Sequence, residues 1–171
     1  MLVLIVALVF SVGCSSVPTK DIQIDAQTDP KANMSGYNTY AWLATAAILN
    51  DPNGQWEPLQ FDADSEVKFL IDGELRERGM SESSSDPDLA VVFAAGVDMD
   101  ALGLKVGDET RIDMLKNVPQ GALIVALVDV RTGFVAWVGV AAGEIQESPD
   151  TATVKARLAY AVSEMFKKLP K

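Results

Sequence analysis

The first part of the chain alternates between apolar and polar residues. Ile22, Ile24 and Ala26 have polar neighbours, and this period of two predicts a half-exposed strand. A second strand is predicted over residues 37–43, which follow a Ser-Gly turn. Residues 44–60 have no clear period and are rich in turn residues, so we interpret them as a loop.

Two later segments show the spacing of amphipathic helices. In the first, apolar residues at offsets 0, 3, 4 and 8 share one face, and Asp62 or Asp64 can cap a helix that Gly79 ends. In the second, offsets of 0, 4, 7, 8, 11 and 15 predict a helix with Ser148 as cap and Pro149 as first residue. The two apolar faces consist of Val67, Leu70, Ile71 and Leu75, and of Val154, Leu158, Ala161, Val162, Met165 and Leu169.

Three segments are apolar at nearly every position, which indicates strands that are buried on both faces. They are residues 89–97, 122–130 and 134–142, and residues 131–133 join the last two as a hairpin loop. The resulting order, β-β-α-β-β-β-α, predicts an α+β fold. We expect a single mixed or antiparallel sheet of about five strands, with the two amphipathic helices packed on one face, and a single domain over residues 22–171.

A sheet with two apolar faces needs a cover on each. Alternation places Leu89, Val91 and Phe93 on one face, Ala90, Val92, Ala94 and Gly96 on the other, and Val135, Trp137, Gly139 and Ala141 together. Two helices cover one face, so the small-residue face needs a second cover. We favour the loop over residues 99–121 as that cover; the alternative is that the face holds a ligand or a partner.

The chain begins with an apolar run from Leu2 to Phe10, which Ser-Val-Gly-Cys follows. Nine residues are too few to cross a bilayer, which takes about 20, but they suit the central region of a signal peptide. The segment is similar to a bacterial lipoprotein signal, in which a small residue precedes a cysteine that becomes the lipidated N-terminus. By that resemblance, residues 1–13 are a lipoprotein signal peptide, and residues 14–21 are the lipidated Cys14 and a short tether.

Two features depart from that pattern: Ser11 stands where Leu is usual, and no Lys or Arg precedes the apolar run. Ser15 follows the cysteine, and by resemblance to lipoprotein sorting in Gram-negative bacteria a residue other than Asp there implies the outer membrane. Lipid chains such as palmitate contribute about 0.8 kcal/mol per buried methylene, so a multiply acylated Cys14 would hold a periplasm-facing domain on that membrane.

Composition and charge exclude several kinds of function. The 14 Lys and Arg against 24 Asp and Glu give a net charge of -10, which argues against nucleic acid and against electrostatic attraction to anionic lipid. The chain has no histidine, which excludes Ser-His-Asp and Cys-His catalysis and His-ligated zinc or haem iron. Its one cysteine excludes an intrachain disulfide and a multi-cysteine metal site. We therefore expect no catalytic residues, no metal and no cofactor, and a protein that is not an enzyme.

Three aromatic residues are candidates for an exposed binding surface. Tyr40 and Trp42 point the same way from the second strand, and Trp56 lies in the loop over residues 44–60. Such residues can form a stacking platform for a glycan. Their more common role is packing in the core or at a sheet edge, and a loop Trp commonly folds back over the core.

Clusters of acidic residues indicate another kind of candidate site. They are Asp62, Asp64 and Glu66; Asp98 and Asp100; and Asp108 with Glu109. Paired carboxylates can hydrolyse glycosides or bind calcium, but no spacing here matches an EF-hand loop. The first cluster has a simpler role at the start of the predicted helix, where negative charge is favourable.

Several motifs follow one another along the chain. They are Asp29-Pro30, the run Ser35-Gly36-Tyr37-Asn38-Thr39-Tyr40-Ala41-Trp42, the helix end from Glu74 to Gly79, the strand start Asp86-Pro87-Asp88-Leu89, the hairpin from Gly121 to Gly143 with an Asp at its turn and a Trp, and the terminal Pro170. In this order they resemble a bacterial lipoprotein family called domain of unknown function 4136. The chain departs from that family at Met34, where an aromatic residue is usual, and at Val138, where a polar or basic residue is common. The resemblance implies an envelope-anchored domain of helices and strands, and it implies no reaction.

These observations lead to three hypotheses about function. The first is an outer-membrane lipoprotein, anchored through lipid on Cys14, that binds an envelope protein or other envelope material. The second is a small-ligand-binding module that uses the small-residue sheet face and the loop over residues 99–121. The third, which we favour least, is a hydrolase that uses carboxylates.

Overall fold

The computed structural model describes residues 17–43, 61–96, 105–106, 110–111, 121–144, 146 and 149–171. The strands are β1 (Gln23–Thr28), β2 (Thr39–Trp42), β3 (Ser81–Glu82), β4 (Leu89–Gly96), β5 (Lys105–Val106), β6 (Thr110–Arg111), β7 (Gly121–Asp129) and β8 (Val135–Gly143). The helices are α1 (Ala63–Glu77) and α2 (Thr151–Lys167), and a short 3₁₀ helix spans Met34–Gly36.

Six of these strands form one open mixed sheet in the order β1-β8-β7-β4-β2-β3. β2 runs parallel to β3 and β4, and the other pairs of that sheet are antiparallel. The predicted α+β class and mixed sheet are confirmed, with six strands in place of the expected number of about five. The added strand, β3, has only two residues and therefore no period to detect. β5 and β6 form a second, two-stranded sheet, which corrects the expectation of a single sheet.

The boundaries of α1 follow the prediction. Asp62 caps the helix, because its carboxylate accepts a hydrogen bond from the backbone N–H of Ser65. Gly79 lies just beyond the other end with a φ of 83°, a conformation that favours glycine. The helix buries three of the four predicted apolar residues, namely Val67, Ile71 and Leu75, and leaves Leu70 partly exposed against the core.

The predicted start of α2, with Ser148 as cap and Pro149 as first residue, is wrong. The helix begins at Thr151, and its cap is Asp150. The Asp150 carboxylate accepts hydrogen bonds from both the backbone N–H and the hydroxyl of Thr153, at 2.9 and 2.7 Å. These two hydrogen bonds to the first turn favour Asp150 as the cap more strongly than the fixed φ of Pro149, two positions before the helix, favours an earlier start.

The two helices run parallel to each other on one face of the sheet. Their starts are tied by an ion pair between Glu66 and Lys155, at 2.6 Å. Their ends are tied by hydrogen bonds from Arg78 to the backbone carbonyls of Phe166 and Pro170. The core beneath them includes Tyr40, Ile71, Leu75, Leu89, Val91, Phe93, Leu127, Trp137, Met165 and Phe166. Each large apolar side chain buried here contributes about 1.5–3 kcal/mol, so this layer is the main source of stabilisation.

The opposite face of the sheet is also buried. Its apolar side chains, each exposed by 8% or less, are Ala122, Ile124, Ala126, Val135, Val138 and Val140. β8 has β1 and β7 as neighbours within the sheet, and α2 contacts it from the helical face. β5 also contacts β8. β5 belongs to the segment over residues 99–121, most of which lies outside the described residues, so its role as the second cover stays a prediction.

A β-bulge changes the side to which one hairpin residue points. The register of β7 and β8 shifts between Leu127 and Val128, so that Leu127 pairs with Trp137 and Val128 with Val135. Strict alternation placed Val135 and Trp137 on the same face. The bulge instead puts Val135 in the small-residue face, while Trp137 lies under the helices.

Candidate functional site

An open cleft lies at one end of the sheet, where three connections meet. Its lining comes from residues 29–37 after β1, residues 86–88 before β4, and residues 129–136 around the β7–β8 turn. They meet because β1 and β7 end, and β4 and β8 begin, at the same end of the sheet. The cleft has a volume of about 780 Å³, and we call it the loop-end cleft.

Asp129, the last residue of β7, is the one buried charged side chain that the described residues contain. One of its carboxylate oxygens accepts a hydrogen bond from the Tyr37 hydroxyl at 2.8 Å, and the other accepts from the backbone N–H of Thr132 at 2.9 Å. Burial acts to raise the pKa of Asp129, but these hydrogen bonds outweigh it and hold the pKa below its usual value. Asp129 is therefore an ionised acceptor at neutral pH.

The Tyr37 hydroxyl remains protonated over the whole physiological range. Burial, together with the hydrogen bond to Asp129, raises the pKa of Tyr37 to about 12. A phenol that keeps its proton and a carboxylate that stays ionised do not exchange a proton at neutral pH. The contact instead ties the β1–β2 connection to the hairpin turn across a sequence separation of 92 residues.

Asp88 makes a second tie in the same place. One of its oxygens accepts from the backbone N–H groups of Asn38 and Thr39, at 2.8 and 2.9 Å, and from the Thr39 hydroxyl at 2.9 Å. These hydrogen bonds hold the pKa of Asp88 below its usual value. Asp88 and Asp129 therefore hold the three connections together. Sequence analysis did not predict this role for them; its only indication was that both residues lie in the motifs that resemble the family.

The rim of the loop-end cleft carries charges of both signs. The guanidinium of Arg131 is 4.0 Å from the Asp129 carboxylate, and its side chain is 86% exposed. Lys31 lies on the opposite connection, beside Asp29, whose carboxylate accepts from the Lys31 backbone N–H. Asp86 has a φ of 54°, a left-handed conformation that Asp tolerates because its short side chain can bond locally.

Tyr40 and Trp42, two candidates for a binding surface, share a partner that the sequence did not reveal. The Tyr40 hydroxyl and the Trp42 indole N–H both donate to one oxygen of Asp72 on α1, at 2.8 and 3.2 Å. Tyr40 is 1% exposed, so it belongs to the core and offers no platform to a ligand. Trp42 is half-buried, with its ring edge-on to Phe93 at 6.0 Å and the Lys68 ammonium 5.8 Å from its centroid.

Other candidate residues lie elsewhere or outside the described residues. Cys14, Trp56 and the acidic residues Asp98, Asp100, Asp108 and Glu109 are all outside them. The first acidic cluster lies at the start of α1, as expected, with Asp62 as the cap. Within the described part of the chain, no three acidic, His or Cys side chains are grouped to hold a metal ion.

The end of the sheet opposite the loop-end cleft is where the chain enters the domain. Asp21 pairs with Arg157 of α2 at 2.5 and 2.9 Å, and both side chains are mostly buried. The hydrogen bonds from Arg157 hold the pKa of Asp21 at about 2. Arg157 also donates to the backbone carbonyls of Pro18 and Glu144. We call this group the tether end. Since β1 runs from here to the cleft, six residues at about 3.3 Å each separate the two by roughly 20 Å.

A family model matches nearly the whole of this domain. It is the model of DUF4136, a domain of unknown function, and it matches residues 24–171. Among the curated proteins, none matches the sequence. In the described residues, neither helix is long and apolar enough to span a membrane.

Solved structures share the fold at low sequence identity. A DUF4136 family protein from Bacteroides thetaiotaomicron is 12% identical, with a TM-score of 0.59 over 86% of this chain and 95% of that chain. A PDZ domain protein from Parabacteroides distasonis is 14% identical, with a TM-score of 0.51 over 91% of this chain and 38% of that one. A weaker structural match, with a TM-score of 0.31, is a protein from Caulobacter crescentus that is provisionally named a lipoprotein and is 12% identical over 80% of this chain and 85% of its own.

Proposed function

Because this chain belongs to the DUF4136 family of domains of unknown function, we propose for it a role that needs no reaction. The protein is an outer-membrane lipoprotein, anchored through Cys14 and facing the periplasm, that acts by binding. Its binding surface is the loop-end cleft. The observation that carries this proposal is the position of that cleft at the end of the sheet opposite to the tether end.

The short length of the tether supports this orientation of the domain. Seven residues, 15–21, follow Cys14, and fully extended they would reach roughly 25 Å; the hydrogen bond from Arg157 to the Pro18 carbonyl shortens the free part further. The ion pair of Asp21 with Arg157 fastens the last of them to α2. A lipidated Cys14 therefore keeps the tether end near the bilayer, and the loop-end cleft faces away from it, where a partner in the periplasm has access.

The state of the cleft carboxylates favours binding over catalysis. Asp88 and Asp129, which line the cleft, already accept several hydrogen bonds from their own chain. Hydrogen bonds from the chain occupy their oxygens and hold the pKa of each below its usual value, which makes both carboxylates weak bases near neutral pH. The second hypothesis, a ligand on the small-residue face, loses support because that face is buried.

Fractionation of cells tests the anchor. The wild-type protein should be labelled by radioactive palmitate and should sediment with outer membranes, whereas Cys14→Ser should lose both the label and the membrane. Ser15→Asp keeps the cysteine and serves as the matched control for sorting, since it should retain the label and move to the inner membrane. Retention of Cys14→Ser in the outer-membrane fraction would contradict the proposal.

Site-specific crosslinking tests the orientation. A photoreactive amino acid at Arg131, on the rim of the loop-end cleft, should capture periplasmic material, because this side chain is strongly exposed there. The same amino acid at Phe69, an exposed residue of α1, is the control and should capture little. Capture at both positions alike, or at Phe69 alone, would show that the loop-end cleft is not the binding surface.

A further inference from the structure

The turn between β7 and β8 displays two large apolar side chains next to an exposed cation. Val130 is 46% exposed and Phe134 is 45% exposed, and Arg131 lies between them in the sequence. Only six large apolar residues of the described chain are exposed, and two of them are on this five-residue turn. Both also line the loop-end cleft. Apolar residues grouped around an arginine are typical of protein interfaces.

Hydrogen bonds from Asp129 and from the neighbouring connection fix the backbone of this turn. Asp129 pairs with Phe134 through a backbone hydrogen bond at 2.9 Å, and its carbonyl accepts from the N–H of Gly133 at 2.8 Å. The Asp129 carboxylate also accepts from Thr132, and Tyr37 holds that carboxylate from the neighbouring connection. Because these bonds fix the turn, its apolar side chains are held in the exposed position. A surface that is ordered before binding loses less entropy when a partner docks.

The charge around the turn indicates the character of the partner. Asp29, Asp86, Asp88 and Asp129 line the cleft together with the two cations Lys31 and Arg131. Asp86 is exposed, and no described residue donates a hydrogen bond to its side chain. The chain as a whole carries a net charge of -10, which attracts basic segments and repels acidic ones.

We propose that the β7–β8 turn and the loop-end cleft are the docking site for a basic polypeptide segment that carries an apolar side chain. The apolar side chain contacts Val130 and Phe134, and a Lys or Arg of the segment pairs with Asp86. A neutral glycan would gain nothing from the net charge, and an acidic segment would be repelled by it. The inference rests on the proposed function, which it deepens by naming the chemistry of the partner.

Selection from a random dodecapeptide phage library tests the proposal. The target is the mature chain from residue 14 with Cys14→Ser, since every described helix and strand begins at Gln23 or later. Enriched peptides are synthesised, and their binding is measured by fluorescence anisotropy at low and high salt. The target variants are Phe134→Ser and Asp86→Asn; the latter keeps the turn intact because Asn also tolerates a positive φ. Phe69→Ser is the control, since this residue is exposed on α1, away from the cleft.

We expect enriched peptides that combine Lys or Arg with an apolar residue. Phe134→Ser should weaken their binding about tenfold, and Asp86→Asn about threefold, whereas Phe69→Ser should leave it unchanged. Higher salt should weaken binding to the wild type more than to Asp86→Asn. Because the lipid-free chain is used, this result does not depend on whether Cys14 is lipidated.

Three outcomes would overturn the proposal. One is that no peptide is enriched on the wild type over Phe134→Ser. A second is that the enriched peptides are acidic or uncharged. The third is that purified peptidoglycan binds in a manner that depends on Phe134 while no peptide does, which would assign the loop-end cleft to a glycan.

Discussion

The hydrogen bond between Tyr37 and Asp129 makes a quantitative prediction about stability. Tyr37→Phe removes one hydroxyl and keeps the ring in place. Asp129 is 7% exposed, so water cannot fully replace the lost donor. A hydrogen bond to a charged group contributes about 1.5–3 kcal/mol, and we therefore expect the free energy of unfolding to fall by about 2 kcal/mol at neutral pH. For a domain of this size, that corresponds to a decrease in Tm of roughly 4–8 °C.

The same reasoning fixes how this loss depends on pH. Since the folded protein holds the pKa of Asp129 below its usual value, ionised Asp129 contributes stability above its unfolded pKa, about 3.9. That contribution is lost as the pH falls through the folded pKa. Tyr37→Phe removes one of the bonds that lower the pKa. The difference in stability between the wild type and the variant should therefore be largest near neutral pH and should shrink below about pH 4.

Urea unfolding of the lipid-free mature chain measures both effects. Curves for the wild type and Tyr37→Phe are recorded at pH 7 and at several values below pH 4. Tyr160→Phe is the matched control: this tyrosine is on the surface of α2, so removal of its hydroxyl should cost little at any pH. A loss in Tyr37→Phe no greater than in Tyr160→Phe, or a loss that is the same at all pH values, would refute the reasoning.

Three further changes have expected outcomes that urea unfolding can check. Gly139→Ala should destabilise the fold by about 1–3 kcal/mol, because the new Cβ would lie 2.5 Å from the Trp137 ring. Gly73→Ala, the same change in α1 where nothing lies within 4 Å, should stabilise by about 0.5–1 kcal/mol. Arg157→Met should lower the free energy of unfolding by about 2 kcal/mol at pH 7, because the pKa of Asp21, which Arg157 holds at about 2, would return toward 3.8. This loss of stability should fade as the pH drops from about 4 to about 2. A cost that persists at pH 2 would contradict the ion-pair explanation.

Local patterns predicted the elements that are long and periodic. The sequence narrowed the cap of α1 to Asp62 or Asp64 and gave Gly79 as its stop, because a cap and a stop act on the residues next to them. The start of α2 was missed because both Ser148 and Asp150 are good caps, and only the bonds to Thr153 decide between them. β3, β5 and β6 were missed because two residues carry no period, and their pairing depends on the sheets in which they lie.

The contacts of the site could not be predicted from local patterns at all. Tyr37 and Asp129 are 92 residues apart, Thr39 and Asp88 are 49 apart, and Tyr40 and Asp72 are 32 apart. Helical or strand periodicity describes neighbours within one element and has no information about such pairs. Of the three aromatic residues predicted as a surface, Tyr40 is buried and Trp42 is half-buried, both held by Asp72, and Trp56 lies outside the described residues.

Some of the residues by which the chain resembles its family brace the connections at the loop end. Tyr37, Asp88 and Asp129 all lie in those motifs, and each is engaged with its own chain. Arg131 and Phe134 belong to the same hairpin and are exposed, and the Arg131 guanidinium is 4.0 Å from the Asp129 carboxylate. The bracing hydrogen bonds set the shape of the loop end, whereas the proposed docking of a partner uses the side chains that the turn displays.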